Sequence, residues 1–91
     1  MTQIQPINTT GSMRDVFDEI VRERMTQDKR WGGPDHDIEH SQWDWRHFIR
    51  THSERALDLN FRTQMIRVAA LAIAAVQSHD LKEKMKRESS I

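Results

Sequence analysis

Three side chains that can form hydrogen bonds, Glu23, Gln27 and Trp31, recur at intervals of four residues and therefore share one stripe of a helix. Phe17 and Ile20 continue this stripe upstream, so its inward side changes from apolar to hydrogen-bonding near the end of the helix. A glutamine amide both donates and accepts, and an indole ring can stack on a nucleobase. The stripe therefore predicts a site at this end of the helix.

The same residues also have a purely structural interpretation. Glu23 and Gln27 can cap neighbouring helices while Trp31 closes the end of a helical bundle. Arg24 stands four residues before Asp28, so these two can form a surface ion pair worth a few tenths of a kcal/mol. Both interpretations stay open at the level of the sequence.

Imidazole and carboxylate groups cluster in the segment from Asp35 to His40, with His47 beyond it. These are ligand types that zinc and other transition metals accept. A solvated loop whose His and Asp side chains cap the flanking helices accounts for the same residues, and we favour it because spacing alone shows no ligand geometry. No metal ligand is therefore predicted.

Nucleophilic catalysis has no candidate either, since the chain lacks cysteine, a Ser-His-Asp set and a Gly-rich phosphate loop.

Composition restricts the class of protein. A chain of 91 residues makes one domain with a small core. Lys+Arg and Asp+Glu both number 14, which argues against a general nucleic-acid surface because such a surface is basic. No apolar run approaches the roughly 20 residues that span a bilayer, and the first residues lack the apolar stretch of a signal peptide. We expect a cytoplasmic protein that binds neither membranes nor nucleic acids.

Hydrophobic periodicity predicts an all-α fold. Three helices are expected, over residues 13–29, 42–57 and 61–79. Ser12 and Ser41 are the expected N-caps, Gly32 and Gly33 stop the first helix, and the loop before Gln42 has room for one short turn. The chain then divides into a flexible arm, a helical domain and a charged tail, at residues 1–12, 13–80 and 81–91.

Apolar residues indicate how these helices pack. The first helix is expected to bury Val16, Phe17, Ile20, Val21 and Met25. The third helix is apolar and alanine-rich around nearly its whole circumference, so a second copy of the chain is expected to cover part of it. Trp43 and Trp45 are two residues apart and cannot both face inward. With Phe48 they are predicted to form a subunit or partner interface.

The order of these motifs resembles a known group. The pattern runs Glu23-Arg24-x-x-Gln27-x-x-x-Trp31-Gly32, then Trp45-x-x-Phe48-Ile49, then Phe61-Arg62 and Val68-Ala69-Ala70. It resembles small phage and prophage proteins of the MazG-like all-α nucleotide pyrophosphohydrolase group, over residues 13–80. The resemblance implies a helical bundle completed by homo-oligomerisation, a location in the host cytoplasm, and magnesium-dependent cleavage of nucleoside triphosphates. It also implies ligand contacts from Arg24 and His36.

The chain departs from that group at its metal site. The carboxylates that would hold magnesium are replaced at all five matching positions, by Thr51, His52, Arg55, Gln64 and Arg67. The nearby Glu54 is one residue out of frame, which turns its side chain by about 100° around the helix.

The residues that stand in place of the carboxylates indicate the function that we expect. Arginine and histidine side chains can hold phosphates directly, so the chain would bind a nucleotide or nucleotide signal without cleaving it. Sequestration of a host defence messenger is one use of such a binder. The expected ligand-binding residues are Glu23, Arg24, Gln27, Trp31, His36, His52, Arg55, Gln64 and Arg67.

Two alternatives stay open. The first is a phage inhibitor or interaction module that binds a host protein through the Trp43 to Phe48 surface. The second is a pyrophosphohydrolase whose carboxylates come from Glu19, Glu23, Asp35, Asp37 or Glu54. No cofactor is expected, with magnesium required only by the enzyme alternative.

Overall fold

The computed structural model describes the backbone of residues 6–89 and the side chains of residues 13–89, and this part of the chain is helical and contains no strand. The helices are α1 (Pro6–Trp31), α2 (Gly33–Asp37), α3 (Gln42–Glu54) and α4 (Phe61–Ser89). The all-α class is confirmed. The short helix α2 makes a fourth element where the sequence predicted a loop with room for one turn. None of these helices is long and apolar enough to cross a lipid bilayer.

Helix α1 begins earlier than predicted and ends where the glycines indicated. It begins at Pro6, not after Ser12, and proline suits a first helical turn because the N–H that it lacks would have no partner there. Residues 1–5 of the predicted arm and residues 90–91 of the predicted tail lie outside the described residues. Gly32 has a φ of 105° and donates its N–H to the Asp28 carbonyl at 2.8 Å. This left-handed conformation favours glycine and ends the helix.

Helix α3 has the predicted cap but ends at Glu54, earlier than predicted. The Ser41 hydroxyl accepts the Asp44 N–H at 3.2 Å, and the Asp44 carboxylate accepts the Ser41 N–H at 2.9 Å. That backbone hydrogen bond holds the pKa of Asp44 below its ordinary value. At the other end, Asn60 accepts the Leu57 N–H at 2.6 Å and donates to the Arg55 carbonyl at 3.3 Å. The asparagine side chain thus closes a corner in place of the last predicted turn.

Helix α4 continues to Ser89, well past the predicted end at His79, so the charged segment extends the helix. Lysine and glutamate are good helix formers, and Lys86 lies 3.5 Å from Glu83 one turn away. Two contacts show that α3 runs antiparallel to α4. The carbonyl of His40, just before α3, accepts a hydrogen bond from Lys82 late in α4, and His52 near the end of α3 contacts Gln64 early in α4.

The core lies between α3 and α4. Trp45 packs against Leu71 and Ala74, with Phe48, Ile49 and Ala75 around them. Trp45 is 7% exposed and Trp43 is 73% exposed, which confirms that only one of the two tryptophans faces inward.

Helix α1 lies against α4, and the two are joined by Arg62, which donates to both Glu19 oxygens at 2.7 and 2.6 Å. This pairing lowers the pKa of Glu19 and raises that of Arg62. Of the predicted apolar side of α1, Ile20 is buried, but Phe17, Val21 and Met25 are each more than half exposed. The prediction that these three are buried is wrong for the single chain, because α4 covers the neighbouring stripe that carries Ile20.

Candidate functional site

Two adjoining cavities lie where α1, α3 and α4 meet, and they share Gln27, Trp31 and His52. We call the first the aromatic cavity, because its wall includes the rings of His36, His40, Trp45, His47 and Phe48. We call the second the arginine cavity, because its wall includes Arg30, Arg55 and Arg67 together with Glu23. Their volumes are about 320 and 300 Å³, at the lower end of the range for small-molecule sites.

Edge-to-face ring contacts hold the wall of the aromatic cavity in place. The His40 ring lies 5.0 Å from Phe48 and 5.3 Å from Trp45, and it also lies 5.0 Å from His36 of α2. Such geometry is favoured because the positive edge of one ring meets the negative face of the next. The wall is therefore apolar in its ring faces and hydrogen-bonding at its imidazole edges.

Two buried polar atoms of the aromatic cavity's residues have no hydrogen-bond partner among the described residues. They are the Nε1 donor of Trp45 and the Oε1 acceptor of Gln27, whose side chains are 7% and 5% exposed. A buried polar atom without a partner costs about 1–3 kcal/mol and is uncommon in native proteins. Each of these atoms exposes less than 1 Å², so a ligand with one acceptor and one donor at its edge would satisfy them only after the two side chains rotate toward the cavity.

His52 joins the two cavities and is held by Gln64. The His52 Nδ1 lies 3.1 Å from the Gln64 Oε1, and Gln64 is buried. With a proton on Nδ1, the ring donates to that amide oxygen and leaves Nε2 free to accept, or to donate when the ring is protonated. This contact joins two of the five positions at which the sequence departs from the resembled metal site, and the other three, Thr51, Arg55 and Arg67, each line one of the two cavities.

The arginine cavity gathers three cations from separate elements. Arg30 lies near the end of α1, Arg55 follows α3, and Arg67 lies on α4. Among the described residues, no carboxylate forms an ion pair with Arg55 or Arg67. Glu23 is the one acid in this wall, and its carboxylate accepts the Gln27 amide at 3.1 Å. Three guanidinium groups against one carboxylate favour an anionic ligand.

Arg24 has a different place from the one predicted. Its guanidinium pairs with Asp28 and, at 2.8 Å, with Asp37 of α2, and it donates to Gln77 of α4 at 3.2 Å. Ser78 adds a hydrogen bond to the Asp37 carbonyl at 3.1 Å. Arg24 lines neither cavity, and its contacts fix α2 against α1 and α4. Its ligand contact stays a prediction.

The other predicted ligand residues lie close together. Lining one or both cavities are Glu23, Gln27, Trp31, His36, His52, Arg55 and Arg67. Gln64 lines neither cavity and acts on the site through His52.

The three predicted interface residues lie in two different environments. Trp45 is buried by its own chain and Phe48 packs against the same core, so both belong to the cavity wall. Their interface role stays a prediction. Trp43 stays exposed, with the Arg46 guanidinium 5.0 Å from its ring.

Some residues of the site were missed or assigned to a different role. Arg30 was not predicted, although it lies three residues after Gln27 on the same side of α1. His40 and His47 were considered as metal ligands or as part of a solvated loop that caps the flanking helices, not as part of a cavity wall. Within the described part of the chain, no three His, Cys, Asp or Glu side chains come together in a group that could hold a metal ion.

Comparisons of the sequence with protein-family models and with curated proteins, and of the fold with solved structures, gave no match.

Proposed function

We propose that this protein binds a nucleotide or a nucleotide-derived ligand and does not hydrolyse it. The phosphate groups would lie in the arginine cavity and the base in the aromatic cavity. The observation that carries this proposal is that the two cavities adjoin and share Gln27, Trp31 and His52 in their walls.

The arginine cavity suits phosphate. Arg55 and Arg67 can each present two parallel N–H groups, which match phosphate oxygens in bidentate geometry. Each such charged contact contributes about 1.5–3 kcal/mol. Glu23 would repel a phosphate and attract a hydroxyl, so its carboxylate fits a ribose between the phosphate and the base.

The aromatic cavity suits a nitrogen heterocycle. The Trp45 indole N–H can donate to a ring nitrogen, and the Gln27 amide oxygen can accept from an exocyclic amine. The partly exposed Trp31, at the boundary of the two cavities, offers a face for stacking. A purely apolar ligand would leave both buried polar atoms unsatisfied.

We expect binding without hydrolysis because most charged side chains of the arginine cavity are positive. Phosphoryl transfer needs groups that neutralise the developing charge and a group that orients the attacking water. Arginines supply the first, whereas the carboxylates that would hold magnesium in the resembled group are absent from the matching positions. Sequestration of a nucleotide signal is a use that needs binding alone, and a phage protein directed against host defence would have that use.

A thermal-shift screen tests the proposal. The protein is heated with mono-, di- and cyclic nucleotides and with ADP-ribose, in EDTA and in magnesium. A ligand at 100 times its Kd adds about 2.7 kcal/mol to the free energy of unfolding. The proposal predicts a higher Tm in EDTA and recovery of the ligand unchanged. Magnesium-dependent release of pyrophosphate would contradict it and favour the enzyme alternative.

A second function, binding of a host protein, is favoured by Trp43. This indole is 73% exposed and lies beside Arg46, and both residue types are common anchors of interfaces. Loss of a protein partner in Trp43→Ala, together with the absence of any nucleotide-induced Tm shift in the unchanged protein, would favour this function over the first.

A further inference from the structure

A third cavity, of about 240 Å³, adjoins the arginine cavity between α1 and α4. The two share Glu23, Thr26 and Arg67 in their walls. The third cavity and the aromatic cavity have no lining residue in common. The arginine cavity therefore adjoins both of the others, and each of those two adjoins the arginine cavity alone.

The three cavities follow one another along α1. The part of α1 that lines the third cavity runs from Glu19 to Thr26, and the part that lines the arginine cavity runs from Glu23 to Trp31. The aromatic cavity uses only Gln27 and Trp31 of this helix. Because a helix rises about 1.5 Å per residue, Glu19 and Trp31 are roughly 18 Å apart along its axis. An extended ligand beside α1 would meet the cavities in this order.

The wall of the third cavity mixes hydrogen-bond donors with acceptors. Glu19 accepts both N–H groups of Arg62, and this pairing lowers the pKa of Glu19, so the carboxylate stays ionised at neutral pH and can only accept. Its two oxygens have about four lone-pair sites and can accept further hydrogen bonds. Arg22 can only donate, whereas the Thr63 hydroxyl can do both.

This wall suits a group that carries several hydroxyls. A second nucleobase has no aromatic ring to stack on among the described residues that line the cavity, and an apolar group would meet Ile66 as its one apolar neighbour there. A further phosphate would face the like charges of Glu19 and Glu23. A sugar hydroxyl can donate to a carboxylate and accept from a guanidinium, so it satisfies both kinds of group in this wall.

We propose that the third cavity binds a sugar joined to the nucleotide through its phosphates, so that the ligand is a nucleoside diphosphate sugar. The base, the diphosphate and the sugar would lie in the aromatic, arginine and third cavities. This inference rests on the proposed function, because the phosphates must lie in the arginine cavity for the sugar to reach the third. A nucleoside diphosphate alone would leave Glu19, Arg22 and Thr63 without ligand contacts.

Calorimetric titration in EDTA with three matched pairs tests the ligand class. The pairs are ADP and ADP-ribose, GDP and GDP-mannose, and UDP and UDP-glucose. In at least one pair, we expect the sugar-bearing member to bind about tenfold or more tightly than its parent diphosphate, because its hydroxyls add hydrogen bonds to charged groups. Equal affinities within every pair that binds would overturn the inference and leave the proposed function standing. No binding of any of the six compounds would contradict both.

A double variant tests where the sugar binds. Arg22→Ala combined with Thr63→Val removes two exposed side chains that line the third cavity and neither of the other two. We expect it to lower the affinity for the sugar-bearing member to that of the parent diphosphate, and to leave the parent's affinity and the ligand-free Tm unchanged. Arg50→Ala, which lines none of the three cavities, should change nothing. A retained preference for the sugar, or an equal loss for both members, would overturn the inference.

Discussion

Two polar regions lie side by side beneath the end of α1, and they differ in how well their atoms are paired. In the Arg24 network, the two terminal nitrogens of the guanidinium contact Asp28, Asp37 and Gln77, and its Nε has no partner among the described residues. In the aromatic cavity, Gln27 and Trp45 each have a buried polar atom with no partner among the described residues. Arg24 and Gln27 are one helical turn apart on the same helix.

This difference distinguishes residues that stabilise the fold from residues that can bind a ligand. A network whose carboxylates and guanidinium pair with each other stabilises the position of α2 and has little left to offer a ligand. A cavity whose donor and acceptor are unpaired reduces the stability of the free protein and gains that free energy back when a ligand binds. The motif around Glu23 to Trp31 therefore contains residues of both kinds.

The largest effect is expected from Arg24→Leu, which leaves the buried Asp37 carboxylate unpaired. Breaking a buried pair in this way costs about 3–5 kcal/mol, so the free energy of unfolding should fall by that amount. Urea denaturation measures it. Arg62→Leu breaks the exposed pair with Glu19 and serves as the control, with a much smaller change expected because solvent screens that pair. Equal losses in the two variants would remove the distinction between the Arg24 network and an ordinary surface pair.

The next effect concerns ligand affinity. Arg55→Ala combined with Arg67→Ala should weaken the nucleotide identified by thermal shift about 100-fold or more, because two charged contacts are lost. The free energy of unfolding should change by less than about 0.5 kcal/mol for each exposed site. Calorimetric titration gives the affinity, with Arg50→Ala as the matched arginine control because Arg50 is exposed and lines neither cavity. Unchanged affinity in the double variant would exclude the arginine cavity as the phosphate site.

A smaller effect is expected from Trp45→Phe, which keeps a ring in the core and removes the unpaired indole N–H. Because removal of that donor offsets part of the lost packing, the free energy of unfolding should fall by less than about 1.5 kcal/mol. Ligand affinity should fall about 10-fold. Trp43→Phe, at an exposed position, should change neither quantity. A fall in stability of several kcal/mol with unchanged affinity would show that the indole N–H serves the fold alone.

The smallest effect is a pH dependence from Glu19. Arg62 lowers the pKa of Glu19 in the folded protein below its ordinary value of 4.5. The stabilisation from this pair is therefore complete well above pH 4.5 and is lost as the pH falls through the folded pKa. Glu19→Gln should lose little stability at pH 7 and should flatten the decline in Tm as the pH falls below the ordinary pKa of 4.5. An unchanged decline would mean that other carboxylates account for all of it.

Local signals predicted the helix boundaries best. The Ser41 cap depends only on residues three positions apart, and the stop at Gly32 depends on one residue that accepts a positive φ. The late end of α4 was missed because the charged residues after Asp80 were interpreted as a frayed tail, although their types favour a helix.

The part of the site that depends on spacing along a helix was predicted from the sequence. Gln27, Trp31 and His52 were identified from their spacing and from the resemblance, and all three lie where the cavities meet. The role of Arg24 depends on Asp37, which the turn at Gly32 brings within reach, and spacing on one helix cannot show a contact across a turn. The exposure of Phe17 likewise depends on which stripe of α1 faces α4.

The most direct test of the central claim is a ¹H–¹⁵N spectrum of the three indole N–H groups during titration with the nucleotide found by thermal shift. Single Trp→Phe variants assign the signals of Trp31, Trp43 and Trp45. A ligand that spans the two cavities should shift the Trp31 and Trp45 signals, with the larger change at Trp45 because its N–H gains a hydrogen bond, and should leave Trp43 unmoved. A shift confined to Trp43, or no shift at saturating ligand, would contradict a nucleotide site between the cavities.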